Sequence, residues 1–379
     1  MYAAYFAVFT VAFLLAVMLT PVAGWLGYRL GWVDQPDGRR QHQGNIPRLG
    51  GIALYVAFVG ALLLSFMLPT AWLPPRLDPK ELTRLAGLLV GTTFVFIAGL
   101  VDDRYELSSA AQLAVQVAAS LIALIFIIHI KHVNNPFTSQ LFFGPEGFPM
   151  PIVWVLTILW FTGMMNTVNW LDGLDGLAAG VAAILCTVLA LHMLREGQYS
   201  VVVQPLALLG AVLGFLPFNF HPARVFMGSA GSYVLGFALA ALGIIGGAKM
   251  ATVLLVMGLP ILDVAWLIWR RWRQGRPPSQ GARDHLHFRL VDKGLDQRAI
   301  VLGYYALSAG FGTLALVIGP RMYKLMALAL LGLIGLSVLW WASREEPPAT
   351  QSPRGPNIPH LSEDRVERSI GPGGEQPRQ

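Results

Sequence analysis

The sequence predicts an all-α polytopic membrane protein, on three observations. Hydrophobic residues make up 55% of the 379 positions and charged residues 13%, roughly half the charge of an ordinary soluble domain. The mean hydropathy is +0.57. The apolar residues also gather into runs of about 20, the length that crosses a hydrocarbon core as helix, where every backbone polar group must be satisfied within the segment.

Taken in order, the runs place helices at 4–28, 49–68, 84–101, 110–130, 150–169, 177–194, 200–217, 230–247, 250–270, 300–318 and 322–342, about eleven transmembrane helices. No basic segment precedes the first run and no small-residue cleavage site follows it, so it is expected to be a retained helix. The second opens behind Pro47-Arg48-Leu-Gly-Gly51, and the third ends on Asp102-Asp103. After the fourth, Asn134-Asn135-Pro136 marks the turn of a short hairpin within 131–149. The fifth and sixth flank the polar run 166–176. The seventh and eighth flank 218–229, and the ninth precedes the longest polar loop, 271–299. From residue 345 the chain turns to Pro, Glu, Arg, Gly and Ser without apolar periodicity, predicting a transmembrane domain over 1–344 and a disordered tail over 345–379. The single cysteine, Cys186, lies inside a predicted helix and excludes a disulfide framework or a cysteine metal site.

Lys and Arg accumulate in cytoplasmic loops, and 14 basic residues fall in the alternate set 29–48, 102–109, 170–176, 218–229 and 270–299, against 8 in the opposite loops. The first set is therefore expected to face the cytoplasm, in a plasma (inner) membrane, with the N-terminus outside and the C-terminus inside. The pI of about 9.6 reflects this asymmetry. No exposed alternation of bases with aromatics suggests nucleic acid. Of 15 acids ahead of the tail, 11 lie on the same face, among them Asp34, Asp102, Asp103, Asp172, Asp175 and Asp263.

The strongest single signal is Asn166-Thr-Val-Asn169-Trp-Leu-Asp172-Gly-Leu-Asp175-Gly176. Its polar residues recur every third position, so pairs share one side of a helix end. Two carboxylates this close repel unless a cation lies between them. Asp102 and Asp103 sit at a helix C-terminus, where the dipole disfavours anions and a divalent cation or Arg104 is expected to compensate. Arg40, His42 and Arg48 occupy a Gly/Pro-rich loop, and Arg donates two hydrogen bonds at once to a phosphate. In Arg283-Asp-His285-Leu-His287, spacing two lets both imidazoles face one way from a strand or irregular loop and either offer imidazolium donors to a phosphate or ligate a transition metal. The loop from Phe218 to Ser232 opens a helix whose free amides suit an anion. A secondary transporter would instead place such groups at the bilayer midplane within repeats.

Arg39-Arg40 through Gly51, Gly99-Leu-Val-Asp102-Asp103-Arg, Asn166 to Gly176, Pro222-Ala-Arg-Val-Phe226-Met-Gly228, Pro260-Ile-Leu-Asp263 and His285-Leu-His287 occur in one order. In this the chain resembles the polyprenyl-phosphate N-acetylhexosamine-1-phosphate transferases. The resemblance implies catalytic loops on the cytoplasmic face and transfer of a sugar phosphate, GlcNAc-1-phosphate first, from a UDP-sugar to undecaprenyl or another polyprenyl phosphate, with release of UMP. That step opens cell-envelope polysaccharide synthesis. It implies Mg²⁺, or Mn²⁺ in its place, with Asp102, Asp103 and Asp172 at the metal and phosphate centre. Asp175 and Phe226 would contact uracil, with Asn169, Arg40, His42, Arg48, Arg283, His285 and His287 also binding substrate. Ser229 stands where the family usually has an Asp metal ligand, Gln112 and Gln41 where Lys is usual, and Phe288 where a further His is common. A weakened or silent paralogue that still binds polyprenyl phosphate or UDP-sugar is the alternative. Expected partners are the membrane, the UDP-sugar and the lipid phosphate, with a homodimer left open.

Overall fold

A computed structural model describes residues 2–34, 44–69, 71–72, 78–135, 137–138, 140–247, 250–275, 284–319 and 321–343. The expected tail, 345–379, lies outside the described residues, as do Arg40, Gln41, His42 and Arg283. Helices dominate. Among the described residues the strands are β1 (Val33–Asp34) and β2 (Ile46–Pro47), paired antiparallel across the first loop.

Among the described residues seven helices are long and apolar enough to cross a membrane: α1 (Tyr2–Leu30), α3 (Glu81–Tyr105), α5 (Met150–Leu171), α6 (Leu177–Arg195), α8 (Gly228–Ile245), α12 (Gln297–Val317) and α13 (Arg321–Ser343). Three more, α2 (Gly50–Ser65), α4 (Ser109–Ile125) and α7 (Val203–Asn219), are apolar but shorter. The chain is a polytopic integral membrane protein.

The expected single helix at 250–270 is instead two, α9 (Met250–Val256) and α10 (Gly258–Arg273), bent by 81°. Pro260 explains the break. It has no N–H to give, and in a continuous helix its ring would strike the carbonyl four residues back. That carbonyl, Val256 O, accepts a bond from Ser308 Oγ at 2.9 Å instead. Counted as one broken span, the pair makes an eighth. The loop 271–299 also departs from expectation. It contains a short helix, α11 (Leu286–Asp292), with His285 at its N-cap, so His285 and His287 do not sit on a strand.

The core is built on α6 and α8, which are buried along most of their length. α8 packs on α3 and α5, α6 on α7 and α12, and α1 on α7 and α2. Phe161, Phe215, Tyr233 and Phe237 fill the centre. From α1 to α8 successive helices reverse direction. At one end Tyr5 Oη donates to Tyr199 O at 2.7 Å and Ser200 Oγ to Glu81 at 2.7 Å. There too lies the expected hairpin, with Asn135 N bonded to Gln140 O and Phe142 N to Val133 O. The loops after α1, α3, α5, α7 and α10 meet at the other end.

Candidate active site

The convergence at that end depends on close backbone approach. A Cβ at Gly99 would lie 2.4 Å from Ala230 Cα, and one at Gly51 would lie 2.4 Å from Gly231 N. The missing side chains let α2 and α3 touch the first turn of α8. That first turn has amides with no helical partner. Asp103 takes two of them: Ser229 N–H donates to Oδ1 at 2.7 Å and Ala230 N–H to Oδ2 at 3.0 Å. Gly228, at φ 66°, leaves space for the carboxylate, since a Cβ there would meet both Asp103 oxygens at 2.7 Å.

Asp102 points elsewhere. Its Oδ1 accepts from Leu107 N–H and from Gln112 Nε2, each at 3.0 Å. Glu106 ends α3 in a left-handed conformation, φ 49°, which carries the chain back over Asp102. Of the two expected compensators, a divalent cation or Arg104, the Arg side chain does not serve these acids. Instead α8's amides serve Asp103 and Gln112 serves Asp102, while the Arg104 guanidinium lies near the Tyr105 ring at 5.9 Å.

Asp172 caps the C-terminus of α5, and no hydrogen bond reaches its carboxylate among the described residues. Burial, then Asp103 and Asp175, push its pKa well above the ordinary carboxylate value, while Arg48 pulls it down. Three acids and one Arg thus share a small volume. Arg48 is itself paired with Asp34 at 2.6 Å. A cleft of about 320 Å³ opens beside them, lined by Trp32, Val33, Arg48, Asp103, Arg104 and Glu106 among others.

The amides of the 166–176 run brace the helices. Asn166 and Gln116 exchange two bonds, at 2.8 and 3.0 Å, joining α5 to α4. Asn169 Nδ2 donates to Ser232 Oγ at 2.8 Å, joining α5 to α8. Asp175 Oδ2 accepts from His221 Nδ1 at 2.8 Å and Ala223 N–H at 3.0 Å, so only Oδ1 is left for a ligand. The α7–α8 loop that holds His221 and Ala223 also carries Phe226, whose backbone bonds Pro47 O and Gly50 N, both at 2.9 Å.

His285 and His287 are brought together as stacked rings, their centroids 5.5 Å apart and their planes 6° from parallel. His285 Nδ1 meets Asp263 Oδ2 at 3.1 Å, and Leu286 N–H donates to Oδ1. The His287 ring is buried with neither nitrogen hydrogen-bonded, and Gly173 gives way to it and to Phe288. Burial lowers its pKa to about 3, with His285 lowering and Asp263 raising it. It is therefore a neutral imidazole, not the expected imidazolium.

Among the described residues no three His, Cys, Asp or Glu side chains form a ready-made metal cage. The expected set of Asp102, Asp103, Asp172 and Ser229 is assembled only in part. What fits a hard cation is the unpartnered Asp172 carboxylate among acids, with the Ser229 hydroxyl making no hydrogen bond. Sequence reasoning missed three partners: Asp34 for Arg48, His221 for Asp175 and Gln112 for Asp102. His221 stood in the quoted loop and Gln112 in a helix start, but nothing local joins either to its acid.

Residues 85–247 match the profile of Glycosyl transferase family 4. The chain is 31% identical over 317 residues to the probable undecaprenyl-phosphate N-acetylglucosaminyl 1-phosphate transferase of Bacillus subtilis, covering 82% of this chain and 84% of that one. The chain belongs to this family. It is also 32% identical over 324 residues to a phospho-N-acetylmuramoyl-pentapeptide-transferase of Geobacillus kaustophilus, covering 81% of this chain and 95% of the relative. With the decaprenyl-phosphate N-acetylglucosaminephosphotransferase of Mycolicibacterium smegmatis it shares 32% over 321 residues, 77% of each chain. The family's matched segment runs from α3 to α8 and so contains Asp102, Asp103, Asp172, Asp175 and Ser229. Asp263, His285 and His287 join that site from beyond it, through α10 and α11.

Proposed function

We propose that the protein transfers N-acetylhexosamine 1-phosphate, with GlcNAc-1-phosphate as the group moved, from a UDP-sugar to undecaprenyl or another polyprenyl phosphate. An oxygen of the lipid phosphate bonds to the sugar-bearing phosphorus. The bridge to the uridine phosphate breaks, and UMP leaves with the electron pair. A phosphate monoester is already largely ionised at pH 7, so positioning and charge neutralisation matter more than a strong base. The observation that carries this reading is Asp172, an unpartnered acid that feels Asp103, Asp175 and Arg48, two of which, Asp103 and Arg48, line the adjoining cleft.

Asp172 would hold Mg²⁺, or Mn²⁺, with Asp103 and Ser229 as neighbours. When bound, the ion would supply positive charge to the diphosphate. Arg48 is placed to donate to a phosphate, and Asp103 keeps the first turn of α8 fixed. Asp175 is held through His221 and Ala223 to the α7–α8 loop that carries Phe226, which supports a uracil contact through Asp175 Oδ1 and the aromatic ring. His285, oriented by Asp263, and neutral His287 line the same turn and can exchange hydrogen bonds with substrate oxygens. The alternating helices support eleven crossings, with α2, α4, α7 and the bent α9–α10 pair included, and with this site on the cytoplasmic face of the plasma membrane.

The test is UMP release from a panel of UDP-sugars with undecaprenyl phosphate, with and without Mg²⁺. UDP-GlcNAc should support turnover and Asp172→Asn should abolish it in a folded protein. Full turnover in Asp172→Asn, or none with any UDP-sugar in the wild type, sinks the proposal. Ser229 favours a second reading, substrate binding with weak turnover, because a hydroxyl is a poorer partner for a hard dication than a carboxylate.

A further inference from the structure

A second cleft, of about 480 Å³, opens between the last turns of α7 and the start of α12. Leu213, Leu216, Pro217 and Phe220 form an apolar wall continuous with α7. Arg224 and Tyr305 give the cleft a polar end. It shares no lining residue with the cleft at Arg48 and Asp103. Arg224 is exposed, and its guanidinium has no hydrogen bond or ion pair among the described residues.

An apolar wall leading along a membrane helix to an unpaired guanidinium matches a lipid with a phosphate headgroup. Chain methylenes would lie on the wall and the phosphate would take the fork of donors. Two other lining residues reach the proposed active site. His221 Nδ1 holds Asp175 Oδ2 at 2.8 Å, and Tyr305 Oη donates to Gly176 O at 2.5 Å. A ligand in the cleft thus rests on the groups that fix the turn following Asp172.

We propose that this cleft binds an anionic membrane phospholipid, with its phosphate on Arg224, and that its occupancy steadies the Asp175–Gly176 turn. The acceptor lipid carries phosphate as well, but its phosphate must reach Asp103 and Asp172, and neither lines this cleft. The occupant is therefore a bulk phospholipid.

Native mass spectrometry of the purified full-length protein reads binding without catalysis, so failure of the transferase reading leaves this test intact. Phosphatidylglycerol should stay bound under activation that strips phosphatidylcholine, and a photoreactive phosphatidylglycerol should label 213–224. Arg224→Gln should lower occupancy about fivefold, the weight of one cationic side chain at an anionic lipid surface, and Arg224→Lys should preserve it. Equal occupancy in Arg224→Gln, or equal retention of phosphatidylcholine, overturns the proposal. So does displacement of the label by equimolar undecaprenyl phosphate, which would make the cleft an acceptor site.

Discussion

Asp172 faces opposing demands on charge. Its folded pKa is raised by burial, Asp103 and Asp175, so between the ordinary carboxylate value of 3.8 and that higher value the folded state binds more protons than the unfolded. Stability contributed by this group is then present below pH 3.8 and is lost as pH rises through the raised pKa. In metal-free buffer, Asp172→Asn should melt higher than wild type at pH 7 and equally near pH 3.5. A melting curve versus pH that shows no such divergence would remove the penalty of burying this charge beside Asp103 and Asp175. Ser229 leads to a second expectation. Ser229→Asp should lower the Mg²⁺ concentration for half-maximal UMP release and raise transfer, because a carboxylate oxygen binds the dication better. If it only destabilises the protein at saturating Mg²⁺, position 229 is no ligand site and the weak-turnover reading gains.

Helices α2, α3 and α8 meet where Gly51 and Gly99 remove side chains from the interface. A side chain at 99 would press on Ala230 Cα, and backbone cannot swing aside as a side-chain tip can. Gly99→Leu should therefore cost at least about 1–3 kcal/mol, the usual scale of overpacking, and displace the α8 turn that binds Asp103. Gly163, with nothing within 4 Å of its Cβ position, provides the contrast. Gly163→Ala should leave stability unchanged or raise it by up to about 1 kcal/mol through helix propensity. Thermal unfolding in detergent separates the pair, and equal effects would show that the close approach is not limiting. At α9–α10, Pro260 controls a whole element. By ending the ladder at Val256 it turns α10 away and brings Asp263 to His285.

Across the whole molecule, alternating helix direction gathers the acidic loops at one end. A tag after Gln379 should be cytoplasmic and one inserted near Asn135 external, as read by thiol or protease accessibility in intact cells. The reverse labelling would move the proposed site to the other face of the membrane.

Membrane class, helix positions and the acidic loops were legible in the sequence because each is local. An apolar run of about 20 residues has one stable form in lipid, and the Asn166–Gly176 run stands out against its flanks. Pro260 was equally visible. Its effect was not, because a proline in a membrane helix can kink or break it, depending on whether a neighbour takes the freed carbonyl, as Ser308 does here. The partners of the acids were decided by tertiary structure alone. Asp103 meets Ser229 across 126 positions, Asp175 meets His221 across 46, and His287 is neutral because of what buries it. Such pairings leave no periodic trace along the chain, since hydrogen bonding and desolvation depend on distances in space that only the packed helices set.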